Sequence, residues 1–223
     1  NAVVLADYGL AGEVRRINVA AARIARECAD KYSGVKPRFV AGSMGPTSKS
    51  AFVTGGITLE ELEQAYFEQA LGLIEGGADV LLLETAHDLM NLKCGLWACK
   101  RAAQASKNEI PVMASATFDV LSQTMLSGHS AESFYCALEH FNLLAIGANC
   151  GAGPRNIEEI LRVLSSLSIG NVFCMPNAGM PDENGNYKET AWDFASKMRQ
   201  FAEAGMINLA GGCCGTTPEH IRL

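Results

Sequence analysis

Two adjacent cysteines, Cys213 and Cys214, sit in the run Gly211-Gly212-Cys213-Cys214-Gly215-Thr216-Thr217-Pro218. The apolar stretch before them, Met206 to Ala210, reads as a buried strand. Thr217 followed by Pro218 reads as a helix N-cap with proline at the first helical position. The pair therefore falls in a glycine-rich strand-to-helix turn, where the backbone can come close to a ligand. The helix behind the turn aims its positive dipole end at the pair, which favours thiolate over thiol. Two thiolates are half of a tetrahedral zinc site. A third cysteine, Cys150, ends another apolar stretch in Asn149-Cys150-Gly151. Three protein ligands with one open position are the pattern of a catalytic zinc. The competing readings are core packing, a Cys213–Cys214 disulfide, and a closed, purely structural zinc. The glycines beside all three cysteines favour the metal.

These residues need elements to bring them together. Residues 9–32 read as a helix whose apolar face carries Val14, Ile17, Ala21, Ile24, Ala25 and Cys28, placing Cys28 in the core. A short strand over 38–42 follows and a turn closes it at 42–46. Thr58 with Glu61 is a capping box opening a helix to about Glu75, stopped by Gly76-Gly77. Strand 79–84 ends in the carboxylate of Glu84. Helix 88–105 carries Cys94 and Cys99, and strand 110–117 leads to a long loop over 118–128. Helix 130–140 holds Cys136, strand 143–150 delivers Cys150, and Asn156 with Glu159 caps a helix to about Leu167. Strand 172–177 contains Cys174, read as core, and Asn177. Helix 190–204 precedes the last strand. His87, His129 and His140 read as surface or capping residues, and His220, just inside the last helix, reads as exposed or as a neighbour of the metal ligands.

Strand and helix thus alternate six times, and the strands are continuously apolar, as in a parallel sheet covered on both faces. An open doubly wound sheet and a (βα)8 barrel both fit. No Gly-x-Gly-x-x-Gly follows an early strand, which argues against dinucleotide binding. The chemistry-bearing residues all lie where strands end, which is the active-site rim of a barrel. A barrel of about 250 residues exceeds this chain by about two strands. The fold expected is an α/β (βα)8 TIM barrel truncated at its N-terminus, one domain over 1–223, with about six units present and the first two strands missing. The start at Asn1 and the stop inside the last helix suggest a fragment of a longer chain.

Of the 223 residues, 48% are hydrophobic, enough for a large core. A net charge of −6 argues against nucleic acid as a partner. No run of about 18 apolar residues predicts a membrane span, and no signal peptide is evident. Eight cysteines spread along a well-cored chain suit thiol or metal chemistry in a reducing cytoplasm.

Three stretches together resemble the homocysteine S-methyltransferase family: Gly147-Ala148-Asn149-Cys150 with Gly153-Pro154, then Pro176-Asn177-Ala178-Gly179-Met180-Pro181, then Gly211 to Pro218. The loops 119–128 and 184–187 are most similar to the homocysteine-binding module of cobalamin-dependent methionine synthases. The resemblance runs from about Asp7 to Leu223. The family's Asp-Gly-Ala-Met-Gly-Thr-like first strand and Asn-Thr-Phe-like second strand have no counterpart here. The resemblance implies a (βα)8 barrel with zinc held by Cys150, Cys213 and Cys214. It implies that homocysteine sulfur takes the open position, loses its proton and attacks a methyl group. The implied donor is methylcobalamin bound by another domain, with cobalamin- and folate-binding modules on a longer chain. Betaine, S-methylmethionine and S-adenosylmethionine are the other donors the resemblance leaves open. Glu84, which opens Glu84-Thr85-x-x-Asp88, is implied to bind the substrate ammonium. Asn177 is implied to lie near the metal and to ligate it when homocysteine is absent.

Overall fold

The structure, a computed structural model, describes residues 1–223. The chain forms two compact units, Asn1–Glu84 with Asp88–Met113, and Thr85–His87 with Ala114–Leu223.

The first unit contains α1 (Ala2–Ala6), a 3-10 turn (Ala11–Glu13), α2 (Val14–Lys31), β1 (Ala41–Met44), α3 (Leu59–Glu75), most of β2 (Val80–Ala86) and α4 (Leu89–Ser106). β1 and β2 pair in parallel from Ala41↔Val80 to Met44↔Leu83. The capping box read from the sequence starts α3: Glu61 N–H donates to Thr58 Oγ1, and Thr58 N–H donates to the Glu61 carboxylate. Asp88 caps α4 by accepting the N–H groups of Met90 and Asn91, and it also takes the Ser50 hydroxyl. Leu62, Ala70 and Leu73 of α3, Leu81 and Leu83 of β2, and Leu92 and Cys99 of α4 are buried. Each large aliphatic side chain among them contributes about 1.5–3 kcal/mol.

Three expectations change here. Strand β1 covers Ala41–Met44, not 38–42: Phe39 is exposed, and Val40 N–H is held by the Asp79 carboxylate before the ladder begins. The composition of Gly42 and Ser43 predicts a turn. In the fold Gly42 is in the strand, and a Cβ there would lie 3.1 Å from Leu73. Helix α2 buries Val14, Asn18 and Ala22, while Ile17, Ala21, Ile24, Ala25 and Cys28 are exposed. The inward stripe is the one without the isoleucines, and α2 and α3 approach closely along it. A Cβ on Gly76 would lie 2.6 Å from Ala22 Cβ, and one on Gly72 would lie 3.0 Å from the Arg15 carbonyl. Helix α1 was not expected; Asn1 caps it by accepting Val4 N–H.

The second unit takes the end of β2, the end of β3 (Val112–Ala116), α5 (Ala131–Leu138) with a 3-10 turn (Glu139–Phe141), β4 (Ala145–Asn149), α6 (Glu158–Leu167), β5 (Asn171–Met175), α7 (Ala191–Glu203), β6 (Leu209–Ala210) and α8 (Pro218–Arg222). β4 and β5 pair in parallel from Ala145↔Asn171 to Asn149↔Met175, and β5 and β6 pair at Phe173↔Leu209 and Cys174↔Ala210. Every residue of β4 is buried. Asn156 does not cap α6, contrary to expectation. The N–H groups of Asn156 and Ile157 both go to the Gly153 carbonyl, and the helix begins at Glu158 without a side-chain cap.

The strands neighbour one another in chain order, β1 to β6. A doubly wound sheet reverses its order at a switch point. Sequential order with helical crossovers belongs to a barrel wall, so the open-sheet alternative falls.

Candidate metal centre

Cys150 follows β4 directly. Its N–H donates to the Met175 carbonyl at 3.1 Å, which continues the β4–β5 ladder by one bond. Its φ of +60° lies in the left-handed region, and Gly151 follows at +66°. The Gly151 position leaves no room for a Cβ, which would lie 2.4 Å from Thr117 Oγ1. The chain then folds back: Ala152 N–H donates to the Cys150 carbonyl, and Asn177 N–H donates to the Ala152 carbonyl at 2.9 Å.

The cysteine pair follows β6 and is clasped by the loop after β5. Cys213 N–H donates to the Pro176 carbonyl at 2.8 Å, and Ala178 N–H donates to the Cys214 carbonyl at 2.9 Å. Thr216 closes the turn, its hydroxyl donating to the Cys213 carbonyl at 2.7 Å. Thr217 and Pro218 start α8 as expected, and Thr217 shares a capping box with His220.

The three sulfurs converge. Cys150 and Cys214 Sγ are 3.8 Å apart, Cys213 and Cys214 Sγ are 3.9 Å apart, and all three lie within 4.8 Å of one another. A tetrahedral zinc with bonds of about 2.3 Å sets its sulfur ligands about 3.8 Å apart. The donor set and its spacing therefore fit that ion. All three thiols are free. Cys214 is exposed and the other two are half-buried, so the cluster opens to solvent on one side. Burial, then the neighbouring Cys150 and Cys214 sulfurs, push the Cys213 thiol up to about 12. Without a cation, this thiol keeps its proton at neutral pH. Tyr187 packs over Gly215, where a Cβ would lie 2.2 Å from the ring. Partial desolvation and then the adjacent Cys214 sulfur raise its phenol.

Asn177 is buried, and its Oδ1 accepts Cys214 N–H at 3.1 Å. It holds the backbone of the pair. Glu84 lies in the first unit on β2, where its carboxylate takes the Ser43 hydroxyl. Cys174, Cys94 and Cys99 are buried, and Cys136 is exposed. His220 Nδ1 caps Thr217, and its ring packs edge-on against Phe194. Burial pushes His87 down. Sequence reasoning missed Asn149, Ser115, Thr85 and Tyr187. For Asn149 a signal existed: an amide at the end of an apolar strand must find partners.

The profile of the family described as homocysteine S-methyltransferase matches residues 1–223. Among solved structures, the apo form of the homocysteine methyltransferase MmuM from Escherichia coli is 25% identical, with a TM-score of 0.68 over 91% of this chain and 69% of that one. Its metallated form is 24% identical with a TM-score of 0.68, and its oxidized form is 24% identical with a TM-score of 0.66. Each covers 91% of this chain and 66% of that one. The chain thus spans about two thirds of these MmuM chains.

Proposed function

The chain belongs to the homocysteine S-methyltransferase family, and from that premise we propose that it transfers a methyl group to the thiol of homocysteine at a zinc held by Cys150, Cys213 and Cys214. The observation that carries this reading is the convergence of the three sulfurs at tetrahedral spacing with an open side. A metallated form exists for the similar MmuM, which supports a metal at such a site.

When bound, zinc would supply a Lewis acid that deprotonates a fourth, incoming thiol at neutral pH. The rest of the work belongs to this chain. Its three cysteines offer three negative donors, so the site stays electron-rich once a guest thiolate joins them. Asn177 and the Pro176 and Ala178 backbone groups hold the pair in place without spending its side chains. Glu84 binds the homocysteine ammonium. The sulfur–methyl bond forms as the donor's bond to methyl breaks, and the donor departs with that electron pair. Methylcobalamin carried by another module is the donor favoured by the 119–128 and 184–187 loops. The strand order supports the reading that these six strands belong to the wall of an eight-stranded barrel.

X-ray absorption on the zinc-loaded protein tests the proposal. Adding homocysteine is expected to replace a light-atom ligand by sulfur, from three sulfurs to four. A coordination shell that ignores homocysteine would mark a closed structural zinc and overturn it.

A further inference from the structure

Asn149 is fully buried and fully engaged. Its Oδ1 accepts Thr85 N–H at 2.8 Å and the Ser115 hydroxyl at 2.7 Å. A backbone N–H can only donate, so the oxygen must face Thr85 and the orientation of the amide is settled. Its Nδ2 then donates to Thr85 Oγ1 at 2.7 Å and to Cys213 Sγ at 3.8 Å. Thr85 supplies both of its partners from a left-handed conformation, φ +60°, unusual for a β-branched residue. Such strain persists only where the surroundings over-determine it. Here two hydrogen bonds to one buried amide do so.

We propose that Asn149 is a positioning residue for the metal centre: clamped by Thr85 and Ser115, it fixes the Cys213 sulfur and, by donating to it, makes Cys213 a weaker nucleophile than Cys150. The proposal rests on the zinc reading above. Its chemical consequence is protection. A site that presents a methyl donor to one sulfur among four gains from making its own sulfurs less reactive, and Cys213 is the one this contact shields. A hydrogen bond to a thiolate ties up a lone pair and lowers the sulfur's charge, whereas Cys150 has no side-chain N–H donor in the structure. In alkylation, a cysteine sulfur forms a bond to carbon as the halide leaves with its electron pair, so the sulfur's available charge sets the rate.

Two measurements on the intact protein test this. In the wild-type protein loaded with 113Cd and labelled with 15N, the Asn149 side-chain amide proton is expected to show scalar coupling to the metal through the N–H···S contact. With the zinc-loaded protein and limiting iodoacetamide, peptide mapping is expected to show Cys150 modified about tenfold faster than Cys213, the ratio a charge-assisted hydrogen bond supports. In Asn149→Asp, which keeps the shape and an acceptor for Thr85 but loses the N–H, that ratio is expected to collapse toward one. Cadmium bound by three cysteines without the coupling, or equal labelling of the two cysteines in the wild type, overturns this inference and leaves the zinc reading standing. A protein that takes up no metal overturns both.

Discussion

The side-chain oxygen of Asn177 accepts the backbone N–H of Cys214 at 3.1 Å. One buried amide therefore joins the loop after β5 to the turn that carries the cysteine pair. Replacing Asn177 with Ala leaves that N–H without a partner, which costs about 1–3 kcal/mol. Groups that orient ligands typically change metal affinity about 10–100-fold. Asn177→Ala is expected to lower the melting temperature and weaken zinc binding by that factor in a chelator competition. Unchanged zinc affinity would reduce Asn177 to a turn residue.

Cys213→Ala removes one of the three clustered thiols while leaving the β5–β6 pairing and the backbone bond to Pro176 intact. The variant is expected to keep its far-ultraviolet dichroism and lose stoichiometric zinc and homocysteine binding. Metal analysis after gel filtration reads the outcome. A variant that retains one zinc per chain would show that Cys213 is no ligand.

The cysteine turn was legible because its glycines and Thr-Pro cap each have one structural meaning, whereas the apolar run before it, expected as a buried strand over Met206 to Ala210, forms only the two-residue β6, Leu209–Ala210, and both residues are exposed. The alternation of strands and helices was legible for the same reason. The inward face of α2 was not. Its isoleucines lie on one stripe and Val14, Asn18 and Ala22 on another, and the choice between them is made by close approach at Gly72 and Gly76, some fifty residues away in the chain. Strand β1 was misplaced because Gly42 and Ser43 carry turn chemistry, which close approach to Leu73 overrides. Asn149 stood in plain view beside Cys150, but its partners, Thr85 and Ser115, come from two other strands. Spacing along a sequence holds no record of such contacts.

Burial pushes Cys213 up to about 12, and it also raises Cys99 and Cys174. In the unfolded chain these thiols titrate near 8.5. Their folded forms hold protons more tightly, so their contribution to stability is full below about pH 8.5 and is lost as pH rises toward their folded values. The metal-free protein is expected to melt at progressively lower temperature from about pH 8.5 upward, with a shallower decline in Cys213→Ala. Zinc uptake must expel thiol protons, so its apparent affinity is expected to rise with pH and its binding to release protons into a weak buffer. A pH-independent affinity would mean the thiols are already ionised.

Gly151 combines a left-handed φ of +66° with a Cβ position 2.4 Å from Thr117 Oγ1. Alanine there is strained and crowded at once, at a cost of about 1–3 kcal/mol. Because Gly151 fixes the reversal after Cys150, the loss is expected in metal affinity as well as in thermal stability. Differential scanning calorimetry with and without zinc separates the two. A destabilised variant with wild-type zinc affinity would show that Cys150 does not depend on this turn.

Glu84 tests the substrate end of the reading. Its carboxylate is half-buried on β2 and takes the Ser43 hydroxyl, so it is oriented before any ligand arrives. A carboxylate bonded to an ammonium contributes about 1.5–3 kcal/mol, which corresponds to roughly 10–100-fold in affinity. Glu84→Gln keeps the shape and removes the charge. Its KM for homocysteine is expected to rise by that factor whichever methyl donor is supplied, with zinc content unchanged. The ammonium is remote from the sulfur and is bound alike before and during methyl transfer, so kcat is expected to change little. A thiol lacking the amino group should bind the variant and the parent equally. If KM for homocysteine stays at the parent value, Glu84 serves Ser43 and β1, and the ammonium is recognised elsewhere.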